Sequence, residues 1–274
     1  MQGIVAAGLL SFFVPAPQKP RVAAPCWPQQ WAQAERVTEG KERNFAGTIR
    51  VLGVMPQVVK EYGRPALHVQ AGGVTVRNFA WRGSMEGVHV GSEPFNGRGM
   101  RQRHSAIRVT LDGLFCDDIG EDCVSIQPRA VVTLRNSTFR GNFRLKRGEG
   151  CNPGLDKILQ IDGATVIVEN CGFFNGRTAI RAKANSRVVV RNCWFVDCAT
   201  CISGDGNANP RPVNPYDNGQ AGPARVVVEN CRFWDCREVA RAFPGCEIEL
   251  REVQLYRTWK LKREDGGIVR GAAQ

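Results

Sequence analysis

One short segment concentrates the groups that could do chemistry: FCDDIGEDCVSI (115–126) sets Asp117, Asp118, Glu121 and Asp122 within six residues around Gly120. Four carboxylates this close repel one another unless a cation or an arginine lies among them. A hard divalent ion meets that need, calcium best of all, because it takes roughly six to eight oxygen ligands at flexible geometry. The plainer alternative is an acidic, solvated turn. A second segment, DKILQ (156–160), holds Lys157 beside Asp156, as a reactive amine or as half of a surface ion pair. Cations gather around Arg98, Arg101 and Arg103 and around Arg140, Arg144, Lys146 and Arg147, which suits a cationic groove or a set of solvated loops. His89, inside the strand-like EGVHV (86–90), reads as structural rather than catalytic.

Residues this far apart meet only if the chain is built to bring them together, and an internal repeat supplies the means. VTVRN (74–78), VTLRN (132–136), VIVEN (166–170), VVVRN (188–192) and VVVEN (226–230) are copies of one phrase. VTLDG (109–113) is a sixth copy with Gly113 in the Asn place, and EIELRE from 247 opens one more turn. Successive copies begin 35, 23, 34, 22 and 38 residues apart, a coil of about 22 residues lengthened at three places by insertions. Alternating β-branched and charged residues form a strand with one buried and one solvated face. Parallel strands from successive coils, stacked at roughly 4.8 Å, bury a continuous column of Val and Ile. The closing Asn tolerates unusual backbone angles at a turn, and its amide can bond the next Asn above it. The expected fold is therefore all-β, a single-domain right-handed parallel β-helix.

The same register places Phe139, Phe173, Phe195 and Phe233 three residues after the Asn, which predicts an aromatic column in the core. Cys171, Cys193 and Cys231 follow the Asn directly, and Cys198 and Cys236 stand six places after it. Neighbouring coils set such residues at a separation that disulfide geometry allows, and a reduced stack of small buried groups fits as well. Cys198 and Cys201 form a lone CxxC with no second pair or histidine cluster, so no zinc site is expected among the 11 cysteines.

Residues 1–39 read as a signal-like segment, IVAAGLLSFFVPA (4–16), and a Pro-rich lead to residue 31 acting as linker or cap; the β-helix domain is expected over 40–274. Export is the expectation, and no later apolar run approaches the roughly 18 residues of a membrane span. Hydrophobic content of 43% and charged content of 23% exclude a disordered chain. The insertions, at about 91–105, 141–155 and 203–223, are rich in Gly, Asn, Pro and Arg and should leave one side of the solenoid as loops. The net charge is +11, and 29 of the 37 basic residues are Arg, whose planar fork suits carboxylates and phosphates. An anionic polymer is a natural partner.

Four phrases, in order, resemble the pectate lyases of polysaccharide lyase family 3. EGVH (86–89) is similar to the family's Asp-Gly-Ile-His stretch, DIGED (118–122) to Asp-Val-Gly-Glu-Asp, DKILQ (156–160) to Asp-Lys-Val-x-Gln and GRTAIR (176–181) to Gly-Lys-Leu-x-Arg. The likeness covers about residues 65–200, including GRPALHVQAGGVTVRNFAW as a leading coil. It implies that Glu86, Asp118, Glu121, Asp122 and Asp156 supply carboxylates around calcium. Lys157 and Arg181 would stand nearest the reacting sugar, with Arg177, Asp156 and Gln127 contacting substrate. Three departures stand out: Glu86 replaces the usual Asp, Gln127 stands where the family often has Lys, and the fourth phrase has one more residue between its cations.

The implied activity is cleavage of polygalacturonate by β-elimination, and the chemistry of the residues agrees with it. Polygalacturonate bears a carboxylate beside the proton that must leave, so neutralising that carboxylate with calcium makes the proton more acidic. Lys157 would take the proton, the cations and metal expected nearby favouring its neutral amine. Arg181, whose guanidinium hardly ever deprotonates, would grip the uronate or stabilise the developing enolate. The expected partner is an acidic polysaccharide rather than nucleic acid or membrane, and the expected state is a monomer.

Two other readings compete. An inverting β-helix hydrolase would use a carboxylate pair from among Asp117, Asp118 and Asp122, although the Asn-Thr-Asp, Asp-Asp and Gly-His-Gly phrases of such enzymes are missing. A non-catalytic β-helix that binds or displays is the other, and it would have no need of DIGED, DKILQ and Arg181 in this order.

Overall fold

The repeated phrase folds as its alternation dictates. In VVTLR (131–135), Val132 and Leu134 are buried while Val131, Thr133 and Arg135 are half-buried, and the copies above and below keep the same alternation. A computed structural model describes residues 18–21, 29–31, 35–37, 42–44, 49–51, 65–82, 86–91, 106–119, 122–141, 157–205 and 222–271. For residues 29–31, 35–37, 49–51, 86, 118, 119, 263 and 264 only the backbone is described.

Within these residues the chain forms three nine-stranded sheets in which every pairing is parallel and each strand pairs with its counterpart one coil away. Sheet 1 runs from Gln29–Trp31 to Gln254–Tyr256, sheet 2 from Glu35–Val37 to Lys260–Glu264, and sheet 3 from Glu42–Asn44 to Ile268–Arg270. Each coil visits sheet 2, sheet 3 and sheet 1 in turn, and the repeated phrases are the strands of sheet 3. The architecture is the expected parallel β-helix.

Its core is built of columns. Phe139, Phe173, Phe195 and Phe233 are fully buried and stack ring on ring, with centroids 5.5, 5.0 and 4.8 Å apart. The repeat asparagines Asn78, Asn136, Asn170, Asn192 and Asn230 all hold φ between 48° and 55°, and Gly113 takes the same place at 69°. A Cβ on Gly113 would come within 2.7 Å of Asn78 Oδ1, so a side chain there would have to displace that amide. Asn78 Nδ2 donates to Asn44 Oδ1 at 3.0 Å and Asn230 Nδ2 to Asn192 Oδ1 at 2.8 Å. The nine described cysteines are buried, and the thiols of Cys171, Cys193 and Cys231 donate to the carbonyls of Glu169, Arg191 and Glu229, as in a reduced stack. Cys26 and Cys151 lie outside the described residues.

The start of the domain differs from expectation. Strands at Gln29–Trp31 and Glu35–Val37 already pair in sheets 1 and 2, so the first coil begins ahead of residue 40. Part of the Pro-rich lead is also anchored to the coil. Lys19 Nζ reaches Asp197 at 2.9 Å and Asp235 at 2.6 Å, both at the turn from sheet 1 to sheet 2. The composition of the lead hid this, because its strands are too short to show an alternation. The interiors of the three insertions lie outside the described residues, but their flanking strands show that each leaves the coil at one end of a sheet 2 strand.

Candidate active site

Sheet 2 carries polar groups on its outer face at a fixed interval. Side chains alternate across a strand, and a slip of one residue early in each strand spaces the outward positions three and then two apart. Lys157, Gln160 and Asp162 follow that spacing in one strand, Thr178, Arg181 and Lys183 in the next, and Thr200, Ser203 and Asp205 in the third. Between them Leu159, Ile180 and Ile202 are buried.

Register then makes neighbours of residues from different segments. Glu86, Asp122, Lys157, Thr178, Thr200 and Glu238 occupy one row across successive strands. His89, Ser125, Gln160, Arg181, Ser203 and Arg241 occupy the next. Lys157 and Asp122 are both buried, with Lys157 Nζ 3.8 Å from Asp122 Oδ1. The same amine donates to Gln160 Oε1 at 2.9 Å. Arg181 is one coil further, its guanidinium engaged with the Asp205 carboxylate. Lys183 pairs with Asp162 at 3.0 Å, so cation and carboxylate alternate along this edge.

The expected site residues divide clearly. Asp122, Lys157 and Arg181 share one face of sheet 2, and Gln127 stands at the end of the Asp122 strand, donating to Ser125 Oγ at 3.2 Å. Arg177 stands just before the Thr178 strand, with Nη1 shut away from solvent and no hydrogen-bond acceptor among the described residues. Glu86 is in register with Asp122, and Asp118 belongs to the Phe115–Ile119 strand; their side chains are not described. Glu121 and Asp156 lie outside the described residues, as do Arg98, Arg101, Arg103, Arg144, Lys146 and Arg147. Among the described residues no group of three or more His, Cys, Asp or Glu is placed to hold a metal. The donor chemistry nonetheless suits a hard cation, since Glu86 and Asp122 are carboxylate-bearing residues paired on adjacent strands. His89 is buried with its ring edge-on to His68, the centroids 4.8 Å apart, which suits the structural role expected of it.

Asp117 leaves the acidic cluster. Its strand belongs to sheet 1, where Arg82 Nη2 and Arg140 Nε each reach the carboxylate at 2.6 Å from the coils on either side. Burial alone would push the Asp117 carboxyl up, but the hydrogen bonds and charges of Arg140 and Arg82 outweigh it and hold the group below its ordinary value. A carboxyl with a lowered folded-state pKa contributes stability that is present above its unfolded value and lost as pH falls through the folded value. Asp117→Asn should therefore lower stability by about 1–3 kcal/mol at pH 7. Urea unfolding at stepped pH should show that deficit shrinking from about pH 4 downward. An unchanged deficit at pH 2 would contradict the pairing.

Gln160, Asp162, Lys183 and Asp205 were not singled out from sequence. The signal was present in the recurring three-then-two spacing, but the insertion after Asp205 hides the coil to which that residue belongs. Residues 102–253 match the family model described as the right-handed β-helix region. No curated protein matches this chain.

Proposed function

Because the chain belongs to the right-handed β-helix family, whose coils align residues distant in sequence, we propose that it is a calcium-dependent pectate lyase. It would be a secreted monomer acting on polygalacturonate and related acidic polysaccharides. One observation carries the reading: the register of sheet 2 sets Glu86, Asp122 and Lys157 in one row and Gln160 and Arg181 in the next, so all four lyase-like phrases converge on neighbouring strands of one sheet.

In this proposal Lys157 removes the proton beside the uronate carboxylate. Gln160 accepts a hydrogen bond from the amine and so orients it toward the sugar. Arg181, steadied by Asp205, faces the charge that develops as the proton leaves. Arg177, just before the Thr178 strand, would contact a uronate carboxylate. Asp122 and Glu86, with Asp118, Glu121 and Asp156, would hold calcium, which when bound neutralises the substrate carboxylate and so acidifies the neighbouring proton. The glycosidic oxygen then departs and a double bond remains. The hydrolase reading loses Asp117 as a partner, since two arginines on sheet 1 already engage it.

Incubating the protein with polygalacturonate and calcium should raise ultraviolet absorbance as unsaturated ends form, and a chelator should abolish the rise. Saturated products formed in the presence of chelator would sink the lyase reading in favour of a hydrolase.

A further inference from the structure

The corner where sheet 1 turns into sheet 2 is packed by two inward positions, one from each sheet. In one coil they are Trp81 and Gly87; a Cβ on Gly87 would lie 2.3 Å from the indole nitrogen, so the large ring demands the small partner. Across the register, Phe139 and Ile158 hold these positions in the coil after next, and Phe173 and Ala179 in the one beyond. The coil between, alone among those described, places a cysteine at both. Cys116 interrupts the aromatic column between Trp81 and Phe139, and Cys123 stands between Gly87 and Ile158.

Their Sγ atoms lie 2.6 Å apart, nearer than sulfurs that merely pack. Cys171, Cys193 and Cys231 instead send their thiols to backbone carbonyls. We propose that Cys116 and Cys123 form a disulfide that closes the acidic segment DDIGED between them. One thiol, as thiolate, attacks an acceptor disulfide and releases one of its halves as a thiol; the second then attacks the mixed disulfide and releases the other half. The pair thus loses two protons and two electrons, and the acceptor gains them. Exchange takes place during folding, because both cysteines are shut in the core once the coil has closed. The bond ties the sheet 1 strand of Asp117 to the sheet 2 strand of Asp122, whatever reaction the outer face performs.

Peptide mapping tests this on the whole chain, refolded with oxidised glutathione, denatured and alkylated without reductant. Trypsin cuts after Arg108 and Arg129, so both cysteines fall in one peptide. That peptide should be unalkylated and lighter by two hydrogens, and prior reduction should restore two alkylation sites. Cys116→Ala, Cys123→Ala and the double variant should each lower the Tm by the same amount, on the order of 5 °C. Full alkylation without reductant overturns the proposal, as do single-variant losses that sum in the double variant.

Discussion

Lys157→Ala is expected to slow polygalacturonate cleavage by roughly 10²–10⁴-fold, the usual contribution of a positioned base. The amine stands between Asp122 and Gln160 on the outer face of sheet 2, with no second lysine in register on the neighbouring strands. Lys157→Arg should fail to restore the rate, because a guanidinium keeps the charge but does not give up its proton to become a base. This comparison separates catalysis from support: if Lys157 serves only to neutralise Asp122, arginine should preserve activity and only alanine should lower it. Initial rates from ultraviolet absorbance, taken beside a thermal unfolding curve for each variant, read both effects. Near wild-type rates for either variant would place the base elsewhere. A wild-type chain inert toward polygalacturonate, with calcium and at alkaline pH, would favour a β-helix that binds or displays.

Phe195→Ala should be the most damaging single change to the fold, costing about 3–5 kcal/mol. Its ring lies between Phe173 and Phe233, nearly parallel to both at interplanar angles of 8° and 6°, and is fully buried. Truncation opens a cavity that parallel strands held at the β spacing cannot collapse to fill. In a solenoid each coil is stabilised by its two neighbours, so a defect in a middle coil weakens two interfaces at once. Denaturant unfolding should show a lower midpoint, and the Tm should fall by about 10 °C. A loss under about 1 kcal/mol would mean that the aromatic column is not a principal support of the coil.

The sheet 3 phrases were legible because they combine two local signals, alternation of Val with charge and an Asn at a left-handed turn. Each signal acts within a few residues and survives insertions elsewhere. The Phe and Cys columns follow from the same register. The leading coil was not legible: Gln29–Trp31 and Glu35–Val37 are three-residue strands amid prolines, and pairing with later coils rather than local pattern makes them strands. Within the acidic cluster, composition grouped Asp117 with Asp122, yet Asp117 belongs to a strand of sheet 1 and Asp122 to a strand of sheet 2.

By itself the sequence determined the solenoid, its coil length, its core columns and the order of the phrases that bear carboxylate, lysine and arginine, since all of these are properties of spacing along the chain. Tertiary structure alone decided which of those groups meet. It set Lys157 against Asp122 and Gln160, gave Arg181 to Asp205, drew Asp117 away between Arg82 and Arg140, and brought Cys116 to Cys123 across a corner. The physical reason is that parallel pairing transmits register from coil to coil while insertions change the number of residues between coils. Contact therefore follows hydrogen-bonded alignment, which no count along the chain reveals.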